Sequence, residues 1–185
     1  MIRVLDALLA GMGLVAASPV FLVVCILCWM DTRSPLFFQQ RVGRWQRPFT
    51  LIKFRTMRRG TASAATHLVD ASAVTPLGRW LRRTKLDELP QLWNVLRGDM
   101  SLVGPRPCLP TQFELIAERD RRGVFSARPG ITGLAQITDI DMSTPALLAE
   151  TDAAMLSSLT LIHYIKFIGI TAFGGGRGDR VARAD

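Results

Sequence analysis

The longest apolar stretch of the chain runs almost unbroken from Val4 to Met30, more than the about 20 residues a helix needs to cross a bilayer. It is too long for a cleaved signal peptide, and no small-x-small site with a mature start follows it. Three features argue against a plain spanning helix. Ser18-Pro19 falls in the middle, where proline removes a backbone hydrogen bond and kinks the helix. Asp6 lies near one end, and a carboxylate is costly at membrane depth. Positive charge flanks both ends, Arg3 before and Arg33, Arg41, Arg44 and Arg47 after, which would hold both on the cytoplasmic side. The pattern predicts a re-entrant helix that enters, breaks at Ser18-Pro19 and returns. A proline-kinked bitopic anchor is the alternative.

Beyond Ser34-Pro35 the period changes. Leu36-Phe37-Phe38 and Phe49 to Phe54 are expected as two short strands joined by a polar turn. Phe38, Trp45 and Phe49 are candidates for the bilayer surface. Lys53 and Arg55 alternate with Ile52 and Phe54, so both cations would leave one strand face, either solvated or aimed into a site. Arg58 to Ala73 is a polar, small-residue loop, a lid or a plain connection, with His67 alone in it. Thr75-Pro76 is an N-cap followed by proline at the first helical position, predicting a helix through Arg83. A second helix is expected to open at Asp87, with Pro90 in its first turn, Leu89, Leu92, Trp93 and Leu96 on one face, and Gly98 as its stop. Met100 to Val103 follow as a strand. Pro110 to Arg122 is a charged amphipathic helix. Thr144-Pro145 starts another, and Leu156 to Phe173, broken by His163, Tyr164, Lys166 and Gly169, suits an amphipathic helix lying on a membrane. Gly174 to Asp185 is a Gly- and Arg-rich tail. There are no internal repeats.

Composition narrows the class. The chain has 185 residues, 49% of them hydrophobic, and a net charge of +8, which allows one domain with a real core. Mean hydropathy is +0.23 and the pI about 10.6. Only Lys53, Lys85 and Lys166 are lysine; the other cations are Arg, which grips phosphate and carboxylate with a planar fork. A basic, apolar protein suits an anionic membrane surface or a phosphate-rich ligand. No helix-turn-helix, zinc-finger spacing or aromatic-basic strand points to nucleic acid. Cys25, Cys28 and Cys108 give no disulfide framework, and the C-x-x-C inside the apolar run reads as packing.

The chemistry gathers between Arg82 and Pro107, RRTKLDELPQLWNVLRGDMSLVGPRP. Asp87 stands where an N-cap residue would stand, beside free backbone N–H groups at the positive end of the helix dipole. Arg82, Arg83 and Lys85 precede the Asp87-Glu88 pair, and Arg106 follows between Pro105 and Pro107. Taken locally, this is either a capped helix with solvated cations or a site for a phosphorylated substrate and a divalent metal. Downstream, Arg128-Pro129-Gly130-Ile131-Thr132-Gly133 is expected as a tight turn whose N–H groups face a phosphate.

The longer string decides between these readings. From Thr75 to Pro107 the sequence closely resembles the central signature of the bacterial sugar transferase family, the monotopic phosphoglycosyl transferases. FTLIKFRTM around Lys53 and RPGITG followed by Ala135-Gln136 resemble further family stretches. The resemblance implies an α/β fold, mostly α with a short β-hairpin, as a monotopic membrane protein with interfacial amphipathic helices. It implies a re-entrant helix over residues 1–33, a catalytic domain on the cytosolic face over 34–173, and a flexible tail over 174–185. The implied reaction moves a sugar-1-phosphate from a UDP-sugar to a polyprenyl phosphate at the inner membrane, releasing UMP. By position Asp87 is the nucleophile, forming a phosphosugar intermediate, and Glu88, with Asp87, holds Mg²⁺. Lys53, Arg82, Arg106, Arg128, Pro105, Pro107 and Gln136 are assigned to substrate or phosphate. Membrane lipids, a homodimer and downstream glycosyltransferases are the expected partners. An inactive scaffold of the same fold is the alternative. Relatives carry an Asp near Tyr164 and a GRN-like stretch where Thr138-Asp139-Ile140-Asp141 stands here, and these departures leave the sugar open.

Overall fold

The computed structural model describes residues 2–61 and 71–172. Two apolar helices open the chain, α1 (Ile2–Ala16) and α2 (Ser18–Thr32), bent by 64° at the intervening residue. The bend has a local cause. Pro19 offers no N–H to the Val15 carbonyl, and the Ser18 hydroxyl donates to that oxygen instead, at 2.8 Å. No single described helix is long and apolar enough to cross a membrane, but this bent pair passes that test together. Large apolar side chains remain exposed along it, among them Val4, Leu8, Met12, Leu22, Ile26 and Met30.

Asp6 meets protein, and its burial is satisfied. It is 2% exposed. It accepts from Ser101 Oγ at 2.9 Å, from the Leu102 N–H at 2.9 Å, and from the Tyr164 hydroxyl. Burial and the carboxylate together push the Tyr164 phenol upward, so it stays a donor. Arg3 adds a second tie, donating to the Val95 and Leu96 carbonyls.

β1 (Leu36–Val42) and β2 (Pro48–Phe54) form an antiparallel hairpin with Phe37 opposite Lys53. Period-2 alternation puts Phe49, Leu51 and Lys53 on the buried face of β2. Phe49 is therefore core and not a candidate for the bilayer surface, while Phe38 and Trp45 are exposed. Arg55 lies just past the strand, bonded to the Leu36 carbonyl at 3.3 Å and stacked on Phe37. The stem of the following loop is closed by the Met57–Val74 bridge; the lid expectation and His67 fall outside the described residues.

α3 (Pro76–Thr84) begins as the sequence predicts, with Thr75 Oγ1 accepting from the Gly78 N–H at 2.9 Å. The next segment departs from expectation. Lys85 takes a left-handed conformation and ends α3. Residues Leu86–Glu88 make a 3₁₀ turn, and α4 (Gln91–Arg97) starts only after Pro90, whose missing N–H interrupts the hydrogen-bond ladder. Asp87 is thus not the N-cap of α4. The buried face of α4 also differs, being Gln91, Asn94 and Val95 with Trp93 exposed. Asn94 explains the rotation: its side-chain amide donates to the Thr50 carbonyl at 2.8 Å and accepts from the Ile52 N–H at 3.1 Å, acting as a short third strand on the free edge of β2.

β3 (Ser101–Val103) pairs in parallel with β4 (Gly130–Thr132). The 128–133 segment is therefore a strand in its middle, not the tight turn expected. Gly104 and Gly130 allow the approach, since a β-carbon on Gly130 would lie 2.0 Å from the Gly104 nitrogen. Around them pack α5 (Phe113–Arg121), α6 (Leu134–Ile137), α7 (Pro145–Ser157) and α8 (Leu161–Ala172). The long apolar tract expected from Leu156 is split between α7 and α8. The core lies between α1, β2, α4, β3 and α8, around Ala10, Leu51, Val95, Met100 and Tyr164.

Candidate active site

The 3₁₀ turn carries both carboxylates into the interior. Asp87 is 4% exposed and Glu88 9%. Burying two adjacent anions is unfavourable unless cations meet them. Lys53, from the inner face of β2, reaches Glu88 Oε1 at 3.1 Å. Arg106, from the loop after β3, reaches the same oxygen at 3.1 Å. Three elements far apart in sequence thus converge on one carboxylate. The turn is held from below by α2, whose Val24 and Cys28 pack with Phe54, Leu81, Leu86 and Leu89.

Arg82, on the last turn of α3, donates from Nε to Thr56 Oγ1 at 2.9 Å, while its Nη1 is buried without a hydrogen-bond partner. Gln136, on α6, has both amide atoms buried and unpartnered. It sits over Gly133, where a β-carbon would fall 2.6 Å from the Gly104 carbonyl and 2.9 Å from Gln136 Oε1. Its amide therefore borders the loop carrying Arg106. Arg128 is placed differently, donating from Nε to the Gly98 carbonyl at 2.9 Å. That is the far end of α4, about 10 Å along the helix axis from its start. Pro105 and Pro107 act through their backbone, accepting from the Gly130 N–H and from Arg41.

A cleft of about 290 Å³ opens beside Glu88, walled by Leu89, Leu92, Leu102, Ile131 and Ile168, with Lys85 at the charged end. Burial lowers the Lys85 ammonium below its ordinary value, against the pull of Glu88. Among the described residues no group of three or more His, Cys, Asp or Glu side chains could hold a metal. Asp87 and Glu88 nevertheless fit Mg²⁺, which takes hard oxygen donors and is usually bound by one or two carboxylates together with substrate phosphates.

Known proteins extend this picture. The model of the family described as bacterial sugar transferase matches residues 1–174. The chain belongs to that family. It is 43% identical over 136 residues to an uncharacterized sugar transferase, EpsL, of Bacillus subtilis, covering 73% of this chain and 67% of the relative. It is 40% identical over 140 residues to the UDP-glucose:undecaprenyl-phosphate glucose-1-phosphate transferase of Caulobacter vibrioides, covering 73% of this chain and 52% of the relative. It is 35% identical over 162 residues to the undecaprenyl-phosphate galactose phosphotransferase of Salmonella typhimurium, covering 77% and 34%. The chain thus spans from about two thirds to one third of these relatives' lengths.

Of the residues assigned from the sequence, the structure brings Lys53 and Arg106 together on Glu88, beside Asp87. The sequence reading gave no place to the buried polar contacts of Asn94, Arg41, Arg119 and Asp152, which carry the framework. A buried polar residue leaves no period in a sequence, because its partners are chosen by packing.

Proposed function

We propose that this protein transfers a sugar-1-phosphate from a UDP-sugar to a polyprenyl phosphate at the membrane surface. One observation carries the reading: adjacent buried carboxylates, with Lys53 and Arg106 both on Glu88, in a turn packed against the apolar helix α2. The relatives named as undecaprenyl-phosphate sugar phosphotransferases support it. So do the unpartnered buried donors of Arg82 and Gln136, since an orphaned buried polar group calls for an explanation and phosphate oxygens would supply acceptors.

Asp87 is the nucleophile. Its carboxylate oxygen bonds to the sugar-bearing phosphorus, the bond to the UMP oxygen breaks, and UMP leaves with that electron pair. An oxygen of the polyprenyl phosphate then attacks the same phosphorus and returns Asp87 to its ionised form. Lys53 and Arg106 hold Glu88 in place and offset the charge of the phosphates. Glu88, with Asp87, would hold Mg²⁺, which supplies Lewis-acid charge neutralisation. The cleft beside Glu88 takes the hydrocarbon next to the lipid phosphate.

The α1–α2 pair acts as a re-entrant anchor on the cytoplasmic face of the inner membrane. Exposed Trp80, Trp93, Phe113, Leu161, Ile162 and Ile165 suit the bilayer interface. Intact-mass measurement after incubation with UDP-sugars tests the mechanism. A phosphosugar adduct on the wild type, absent in Asp87→Asn together with turnover, is the expected result. Active enzyme without an adduct, or kinetics requiring both substrates bound at once, would overturn it. Labelling of an introduced cysteine at position 1 from the periplasmic side would overturn the topology.

A further inference from the structure

Arg106 is fixed by its own backbone, and that backbone is gripped in an unusual way. Pro105 and Pro107 have no N–H, so the loop can be anchored only through carbonyls and the Arg106 amide. Four consecutive carbonyls are each bonded, by donors from three elements, β4, α5 and β1. Pro105 O accepts from the Gly130 N–H at 2.9 Å and Cys108 O from the Val42 N–H at 3.0 Å. Between them, Arg106 O accepts from Arg119 Nη1 at 2.8 Å, and Pro107 O from Arg41 Nη1 at 3.0 Å. The first two donors are backbone groups that almost any sequence would supply. The other two are buried guanidinium groups that this sequence specifies.

Both arginines are themselves oriented. Arg119, 2% exposed, donates from Nε and Nη2 to Asp152 Oδ2 at 3.0 and 2.7 Å, and Asp152 is 0% exposed. Arg41, 8% exposed, donates from Nε and Nη2 to Gln39 Oε1 at 3.1 and 2.6 Å. Buried ion pairs are weak contributors to stability, because desolvation offsets most of the attraction. Their geometry here does something else. The peptide planes on either side of the Arg106 α-carbon are held, one by the Gly130 N–H and the other by Arg119, which sets φ and ψ at residue 106. That direction carries the Arg106 guanidinium to Glu88.

We propose that Arg119 with Asp152, and Arg41 with Gln39, are positioning residues that aim Arg106 into the active site. The proposal rests on the assignment of Arg106 to that site. Arg119→Lys keeps a charge facing Asp152 but loses the second arm of the fork that reaches the Arg106 carbonyl. In the full chain, UMP release is read with undecaprenyl phosphate and the best donor among UDP-glucose, UDP-galactose and UDP-N-acetylgalactosamine. Arg119→Lys is expected to lower kcat about 10- to 100-fold, the scale of a small misplacement of a reacting group. In an Arg106→Ala background the same change should cost less than about 2-fold, because there is nothing left to aim. Multiplicative losses in the double variant would make Arg119 merely structural and overturn the proposal. Arg106→Ala with undiminished turnover would overturn the Arg106 assignment and the inference with it. Should Arg119→Lys fail to fold, Arg41→Lys replaces it in the same cycle, with the same two outcomes supporting or overturning the proposal.

Discussion

Replacing Asp6 by Ala removes the acceptor that joins α1 to β3 and α8. Three donors point at that carboxylate: Ser101 Oγ, the Leu102 N–H and the Tyr164 hydroxyl. The two hydroxyls lie 3.0 Å apart and can turn to each other. The Leu102 N–H has no such recourse and is left buried and unmet, at about 1–3 kcal/mol. Adding the lost charge-assisted bonds gives a total of about 4 kcal/mol, within the range for breaking a buried polar pair. For a chain of this size that lowers Tm by roughly 8–16 °C. Thermal unfolding in detergent micelles, followed by intrinsic fluorescence, reads this directly. Asp6→Asn retains an acceptor for Leu102 and should lose about half as much. Asp6→Ala combined with Tyr164→Phe should lose less than the sum of the two single changes, because they share one network. If Asp6 faced lipid, Asp6→Leu would be neutral or stabilising. A Tm of Asp6→Ala within about 2 °C of wild type would refute the anchor, since 1 kcal/mol alone shifts Tm by about that much.

The same network predicts a pH dependence. The folded-state pKa of Tyr164 is raised above its ordinary value of 10.0, so its stabilisation is present below that value and lost as pH rises above it. Unfolding scans from pH 8 upward should show Tm falling on the alkaline side, with a shallower fall in Tyr164→Phe. Gly78→Ala puts a β-carbon 2.0 Å from the Thr56 carbonyl oxygen and should cost about 3 kcal/mol, read as loss of folded protein by denaturant titration. Thr75→Ala removes the side-chain cap of α3 and should cost about 1 kcal/mol in the same titration. Ile168→Trp narrows the cleft beside Glu88; it should raise KM for polyprenyl phosphate about 10-fold while single-turnover UMP release stays unchanged. Loss of both together would place the cleft elsewhere in the reaction. Chelation by EDTA should abolish turnover, and full activity in its presence would remove the Mg²⁺ assignment.

Much of this architecture is local in origin. Thr75-Pro76 starts α3 and Gly98, at φ +90°, ends α4, because capping depends on neighbours a few residues away. Ser18-Pro19 bends the apolar pair, because a missing N–H acts locally. The Asp87-Glu88 pair and its cations stood out only through the longer string around them, because charged residues at a helix start are equally at home on a solvated surface. What tertiary structure alone decided is where those groups meet. Asp6 looked like a charge stranded in lipid until Ser101, Leu102 and Tyr164 closed around it. Asp87 looked like a helix cap until Lys85 and Pro90 made it part of a separate turn. Lys53 and Arg106 meet at Glu88 across sequence separations of 35 and 18 residues, and Arg119 grips the loop from another helix. A partner that far away in sequence leaves no local pattern, so only packing can choose it.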